Sequence, residues 1–304
     1  MASGYPDPKN LMPNTALKTP ISVLIPVRNE LYNVEDCLRS VAWVDDVVVV
    51  DSASTDGTTE RARQLGARVV QFRYVPGGLK KKNWALRNVE FRHEWILILD
   101  ADERIPSSLA QEIDSTVRSD GGRHAGFYIS RRFYFLGRWI RHAGYFPSWN
   151  LRLLRRGFGE YEFIPDTAAD AGDNEVHEHI LLRGPAGSLR EPMDHYAYPS
   201  IQAFVEKHNR YSSWEARCGR RYLEMPRDNG GTSWHLAARR LAKRLARYMP
   251  FPDILRFFYH YVLKLGFLDG TAGYILCRLL AQYEFLIWGK TFESRRRLRE
   301  NSAA

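Results

Sequence analysis

The sequence is poor in cysteine. Cys37, Cys218 and Cys277 are odd in number and far apart. That excludes a disulfide framework or a cysteine-built zinc site, and it suits a reducing compartment. No stretch reaches the ~18 uninterrupted apolar residues of a spanning helix. The most apolar segment, 257–288, is broken by Lys264, Asp269, Arg278 and Glu284. There is no internal repeat, no low-complexity tract and no GxGxxG dinucleotide fingerprint. The opening MASGYPDPKNLMPN lacks the charged-then-apolar order of a signal peptide. It reads as a loose polar leader over residues 1–19 of a cytoplasmic protein.

What is present is a chain of 304 residues with 44% apolar and 26% charged residues, a composition that forms a core. Its net charge of +9 is unevenly placed: residues 201–304 hold 19 Lys/Arg against 9 Asp/Glu. The excess therefore belongs to the last third and points to an anionic partner surface, membrane or nucleic acid.

Four strand-like runs, 21–27, 46–51, 68–74 and 95–100, alternate with helical patterns at 31–43, 58–65 and 81–89. Alternation of this kind means βαβ units and a parallel sheet. From about residue 126 the pattern turns to further strands, an aromatic-rich loop at 139–149 and a short strand at 179–183. After Tyr198 it becomes helical and basic.

The stretch WILILDADERIP, 95–106, runs five apolar residues into Asp100, Asp102 and Glu103. Like charges crowded at the carboxyl end of a buried strand need something positive there, and in open α/β sheets ligands bind at that edge. Asp100 and Asp102 can reach one divalent cation. A solvated acidic turn neutralised by Arg104 is the competing reading. Asp51 ends the second strand, Pro26, Arg28 and Glu30 follow the first, and Lys80, Lys81 and Lys82 precede the third helix. Acids to hold a base and a metal, with a cation for phosphates, compose a nucleotide site. Cations are unfavourable at a helix N-terminus, so the lysines also argue for an anionic ligand there.

Together, ISVLIPVRNE, VVVVDSASTDGT, KKKNWALRN and WILILDADE, in this order and spacing, resemble glycosyltransferase family 2 over roughly residues 20–195. The closer likeness is to bacterial lipopolysaccharide-core β-glucosyltransferases of the WaaE type. It is carried by Lys81-Lys82-Asn83, NEVHEH and GFLDGTAGYI. The resemblance implies a GT-A fold, α/β and Rossmann-like with a mostly parallel central sheet, and inverting transfer from a nucleotide-diphospho-sugar. It further implies that Pro26, Arg28 and Glu30 line the nucleotide pocket and that Asp51 reads the base, usually uracil. Lys82 is placed near the diphosphate, Asp100 on ribose or metal, and Asp102 on Mg2+ or Mn2+. The QxxRW motif of processive members is missing, which favours transfer of a single sugar.

Inversion needs a base facing the acceptor hydroxyl. DNEVHEHI, 173–180, supplies Glu178 between His177 and His179, with the two histidines on one face of a strand and Glu178 on the other. Either Glu178 is the base and the histidines orient it or bind phosphate, or a histidine reaches the metal. Asp166 is a second candidate base. Trp149 either stacks on a sugar or belongs to the core, and Arg152 is placed to meet a phosphate.

In SWHLAARRLAKRLARY, 233–248, Trp234, Ala238, Leu241, Ala242 and Leu245 fall on one helical stripe, and five Arg/Lys crowd the other side. That is the pattern of a helix lying on anionic lipid, and Arg295, Arg296, Arg297 and Arg299 add a second basic cluster. No RNP-type or other nucleic-acid module accompanies the charge.

The expectation is therefore a glycosyltransferase domain over 20–198 and a basic, amphipathic helical region over 199–304 that lies on the inner face of the plasma membrane. It would move one hexose from a UDP-sugar, UDP-glucose first among them, to a hydroxyl of a lipid-linked envelope glycan. The rival readings are a polyisoprenyl-phosphate sugar transferase and a non-catalytic nucleotide-sugar-binding scaffold.

Overall fold

The computed structural model describes residues 18–75, 77–162, 180–224 and 251–303. By internal contact these belong to two units. The first takes 1–139 and 146–197, and the second takes 140–145 and 198–304.

The first unit is α/β. Strand β1 (Thr19–Val27) lies parallel between β2 (Val44–Asp51) and β4 (Trp95–Ile98), with β3 (Arg68–Gln71) parallel beyond β2. Helices α1 (Leu31–Ser40), α2 (Thr58–Gln64) and α3 (Lys81–Asn88) make the crossovers. Alternate residues of β1 serve opposite layers. Ile21, Val23, Ile25 and Val27 join one core with Val34, Leu38, Leu109 and Ile113, whereas Leu24 joins another with Val48, Ile98 and Ala85. Burial on both faces explains why these strands read as continuous apolar runs.

The second half of the sheet is largely antiparallel. After β5 (Glu103–Arg104) and α4 (Ser107–Ser119) come β6 (Gly126–Phe135), β7 (Arg138–Ile140) and β8 (Trp149–Arg155), with β8 joining β4 to β6. The order is β3-β2-β1-β4-β8-β6-β12-β5, where β12 is Met193–Tyr198; β7 and β11 (Ala186–Ser188) also pair with β6. Strands β9 (Gly159–Tyr161) and β10 (Ile180–Leu182) form a separate antiparallel pair. This mixed α/β sheet, parallel in its first half, is the architecture the GT-A expectation required. The expected first helix stops at Ser40 rather than 43, the third strand at Gln71 rather than 74, and α4 was not foreseen. The aromatic loop 139–149 is narrowed at both ends, by β7 and by β8.

The second unit holds α5 (Ile201–Glu224), α6 (Pro252–Phe258), a π-turn (Tyr259–Leu263), a 3-10 turn (Gly266–Asp269) and α7 (Gly270–Ala303). Here GFLDGTAGYI acquires a structural meaning. A Cβ at Gly273 would fall 2.2 Å from the Gly266 carbonyl, and one at Gly266 would fall 2.8 Å from Cys277 Sγ. The two backbones meet because neither position carries a side chain. Among the described residues no helix is long and apolar enough to cross a membrane. The basic helix expected at 233–248 and the turn before it lie outside the described residues.

Candidate active site

The loops that leave β1 and β2 are laced together at the carboxyl edge of the sheet. Asn29 N–H donates to Ser54 Oγ, Glu30 N–H to Thr58 Oγ1 and Leu31 N–H to Asp56 Oδ2, while Thr55 N–H donates back to Asn29 Oδ1. Asn29 and Ala53, one in each loop, take left-handed backbone. Non-glycine residues adopt that region only where their surroundings enforce it. Pro26 and Glu30 are half-buried and Arg28 is exposed.

Asp51 is fully buried. Its carboxylate accepts from Ser54 N–H and Oγ–H, from Thr59 Oγ1–H at 2.6 Å and from Gln71 Nε2–H at 3.0 Å. Burial would raise its pKa, but these donors hold it below the usual carboxylate range. The residue expected to read the base therefore has its carboxylate engaged by the turn that follows it and by Gln71 on β3. Its visible task is to shape the turn 52–59.

Asp100 is the hub of a buried network. Lys82 Nζ lies 2.9 Å from Oδ1 and Arg152 Nη2 lies 2.6 Å from Oδ2. Arg152 Nη2 also lies 2.6 Å from Glu103 Oε1, and Glu103 Oε2 accepts the Asp100 N–H at 2.9 Å. Arg131 completes the cluster 3.4 Å from Glu103 Oε1. Burial acts to raise the Asp100 pKa, but Arg152 first and Lys82 second hold it well below its ordinary value; the same acids keep Arg152 firmly charged. Arg104 is not the neutralising cation. It donates to the carbonyls of Ala101 and Glu103 and approaches Asp36.

Two expectations change here. Lys80, Lys81 and Lys82, expected to await an anionic ligand, are all buried; Lys81 donates to the Val27 carbonyl and Lys82 serves Asp100. Asp100, expected on ribose or metal, has both carboxylate oxygens engaged by cations, an arrangement that suits a metal ligand poorly.

Asp102 is different. Its Oδ2 lies 3.6 Å from Nε2 of His195 on β12, and Tyr196 N–H donates to the Asp102 carbonyl. Carboxylate and imidazole together are fit donors for Mn2+, and a pair leaves coordination positions for phosphate oxygens or water. Among the described residues no group of three or more His, Cys, Asp or Glu converges on one point.

His195 escaped the sequence reading because EPMDHYAYP offers a lone histidine in a short strand with no metal-ligand spacing. Glu103 was visible as a charge but not as the acceptor that shapes the turn. Arg152 was expected at a phosphate and stands instead between two acids. Trp149, at 47% exposure, is not core. Glu178, His177, His179 and Asp166 lie outside the described residues.

Residues 22–169 match the model described as Glycosyl transferase family 2. LpsC of Rhizobium meliloti, named a lipopolysaccharide core biosynthesis glycosyltransferase, is 30% identical over 209 residues, or 66% of this chain and 71% of that protein. This chain belongs to glycosyltransferase family 2. An uncharacterized glycosyltransferase of Rickettsia felis is 30% identical over 207 residues, 65% of this chain and 69% of its own length. Among solved structures, mannosyltransferase PcManGT from Pyrobaculum calidifontis, in complex with GDP-Man and Mn2+, aligns with 95% of this chain and 89% of that chain at 17% identity and a TM-score of 0.46. The family-2 match includes Asp51, Asp100, Asp102 and Arg152 and stops before β12. His195 thus stands outside the matched segment of this glycosyltransferase.

Proposed function

We propose that this family-2 glycosyltransferase moves one hexose, with inversion, from a UDP-sugar to a hydroxyl of a lipid-linked envelope glycan of the lipopolysaccharide-core kind. UDP-glucose is the first donor to test. The observation that carries the reading is the division of labour between neighbouring acids: Asp100 is neutralised by Lys82 and Arg152, whereas Asp102 faces His195. A structural acidic turn needs no such partition. The name of the Rhizobium meliloti relative supports the class of acceptor.

In this reading Asp102 and His195 hold Mg2+ or Mn2+, which when bound supplies positive charge to the two phosphates of the nucleotide. Lys82 and Arg152 fix Asp100, and with it the turn that carries Asp102. The laced loops after β1 and β2, with Pro26, Arg28 and Glu30, form the nucleotide pocket, and Asp51 acts by holding the second loop in shape. Trp149 offers an exposed aromatic face to a sugar. Glu178 takes the proton from the acceptor hydroxyl as it attacks the anomeric carbon. The enzyme works at the cytoplasmic face of the inner membrane, where its anionic, lipid-linked acceptor lies.

The test is release of UDP from UDP-glucose in the presence of lipid-linked core glycan, compared between wild type and Glu178→Gln. Loss of turnover with retained UDP binding supports the assignment. Near-full activity of Glu178→Gln on a polyisoprenyl phosphate would transfer the function to that class, because a phosphate acceptor needs no strong base.

A further inference from the structure

The second unit presents an apolar surface on a fixed support. Phe251, Ile254, Phe258, Leu263, Phe267 and Leu268 are all exposed, Phe251 at 69% and Leu263 at 72%. They fall within eighteen residues and across three kinds of turn, α6, the π-turn and the 3-10 turn. The side chains are out, but the backbone beneath them is anchored. Asp269, 2% exposed, accepts from the backbone N–H groups of Arg141 and His142. His260 Nδ1 donates to the Ala143 carbonyl at 2.7 Å, and Ala143 N–H donates to the Lys264 carbonyl at 2.8 Å. Gly266 and Gly273 lock the 3-10 turn against the start of α7. Scattered exposed apolar residues are ordinary, but six within eighteen residues on an anchored backbone mark a contact surface.

Charge identifies the occupant. Between 251 and 278 the acids are Asp253, partly buried, and Asp269, buried, so no acidic side chain is fully exposed there. Lys264 and Arg278 are exposed within the same stretch; further along α7 exposed Arg295 and Arg296 accompany one exposed acid, Glu293. Exposed Tyr259, Tyr274 and Trp288 add amphipathic rings. Within 251–278, apolar tips, aromatic rings and cations with no fully exposed acid compose a surface for the boundary between headgroups and acyl chains of an anionic bilayer.

We infer that the segment 251–268 is a membrane-insertion wedge. Its apolar tips enter the outer ~5–10 Å of an anionic leaflet, while Lys264 and Arg278 meet lipid phosphates. This deepens the membrane-surface part of the proposed function by naming the inserting residues, and it is independent of the donor chemistry. It also separates this wedge from the basic helix expected at 233–248, since insertion is apolar and resists salt whereas surface attraction does not.

The test uses the full chain in flotation with vesicles of phosphatidylethanolamine and phosphatidylglycerol, and with vesicles of phosphatidylcholine alone. The comparison is wild type against the double variant Phe258→Asp and Leu263→Asp. Wild type is expected to float with the anionic vesicles and to remain bound in about 1 M salt, where charge attraction reaches only about 3 Å. The double variant loses at least about tenfold in the salt-resistant fraction. A second variant, Leu263→Trp, covers the case in which two aspartates disturb folding. Its added emission shifts to the blue on binding and is quenched by brominated acyl chains.

Equal flotation of the double variant, or no quenching of Leu263→Trp, overturns the inference. So does a wild-type dimer that the double variant dissolves while vesicle binding is unchanged, because a second copy would then cover the face. UDP titration of the same proteins reports the donor site separately: flotation without UDP binding would sink the transferase reading and leave the wedge standing.

Discussion

Arg152 Nη2 stands 2.6 Å from Asp100 Oδ2, with the Arg152 side chain buried and that of Asp100 half-buried. Fifty-two positions of sequence separate them. This contact ties β8 to the acidic turn and gives Asp100 a role distinct from that of Asp102.

Removing one partner of a buried ion pair leaves the other uncompensated. Arg152→Met strands both Asp100 and Glu103, so we expect a loss of about 3–5 kcal/mol in chemical denaturation. Arg152→Lys should recover part of it, because the charge is kept and the planar fork is lost. A loss below about 1 kcal/mol in Arg152→Met, the value of an exposed pair, would contradict the network.

Metal affinity should follow Asp102 and His195, not Asp100. Asp102→Asn and His195→Ala are each expected to weaken Mn2+ binding by about 10–100-fold or more, read from the spin-resonance signal of free Mn2+. Their melting temperatures should stay near wild type, whereas Asp100→Asn should lower stability first. Unchanged Mn2+ affinity in both Asp102→Asn and His195→Ala would remove the metal assignment.

Asp51 accepts from Ser54, Thr59 and Gln71. Asp51→Ala leaves those donors without their acceptor and should cost about 1–3 kcal/mol. Because the loop it holds belongs to the nucleotide pocket in our reading, the UDP-sugar KM should rise more than kcat falls. Full stability in Asp51→Ala would show that the loop does not depend on it.

The sequence told unequally about different parts of this molecule. The strands around β1 were legible because burial on both faces writes itself as an unbroken apolar run. Helix α4 buries Leu109, Ala110 and Ile113 on one side, but its largely polar sequence SSLAQEIDSTVRS and the lack of a side-chain cap leave little helical signal. The three lysines were read as a helix start awaiting an anion. Their protein partners, Val27 and Asp100, lie 54 and 18 positions away, and no local pattern announces a partner at such distance. His195 was illegible for the same reason: its relation to Asp102 exists only because β12 pairs with β5. The loops after β1 and β2 were located correctly at one edge, yet the internal commitment of Asp51 needed the hydrogen bonds to be seen.

The second unit should weaken in mild acid. Burial, with Arg256 and then Lys264 nearby, pushes His260 down to about 4, although its bond to the Ala143 carbonyl opposes this. The unfolded chain therefore binds a proton near pH 6.5 that the folded chain refuses until about pH 4. Stability is full above that window and falls as pH drops through it. His260→Gln, which cannot take up the proton, should flatten the dependence between those values. A wild-type melting temperature that does not change there would contradict the buried neutral imidazole.

The central claim is that the acids after β4 serve a metal-bound UDP-sugar. Calorimetric titration of UDP into the purified chain, with Mn2+ and then with EDTA, for wild type and Asp102→Ala, tests it most directly. The account predicts Mn2+-dependent UDP binding in wild type that is lost in Asp102→Ala while the melting temperature is retained. Binding of no nucleotide with Mn2+ present, or equal binding in both proteins, would contradict it and leave the acidic cluster a purely structural device.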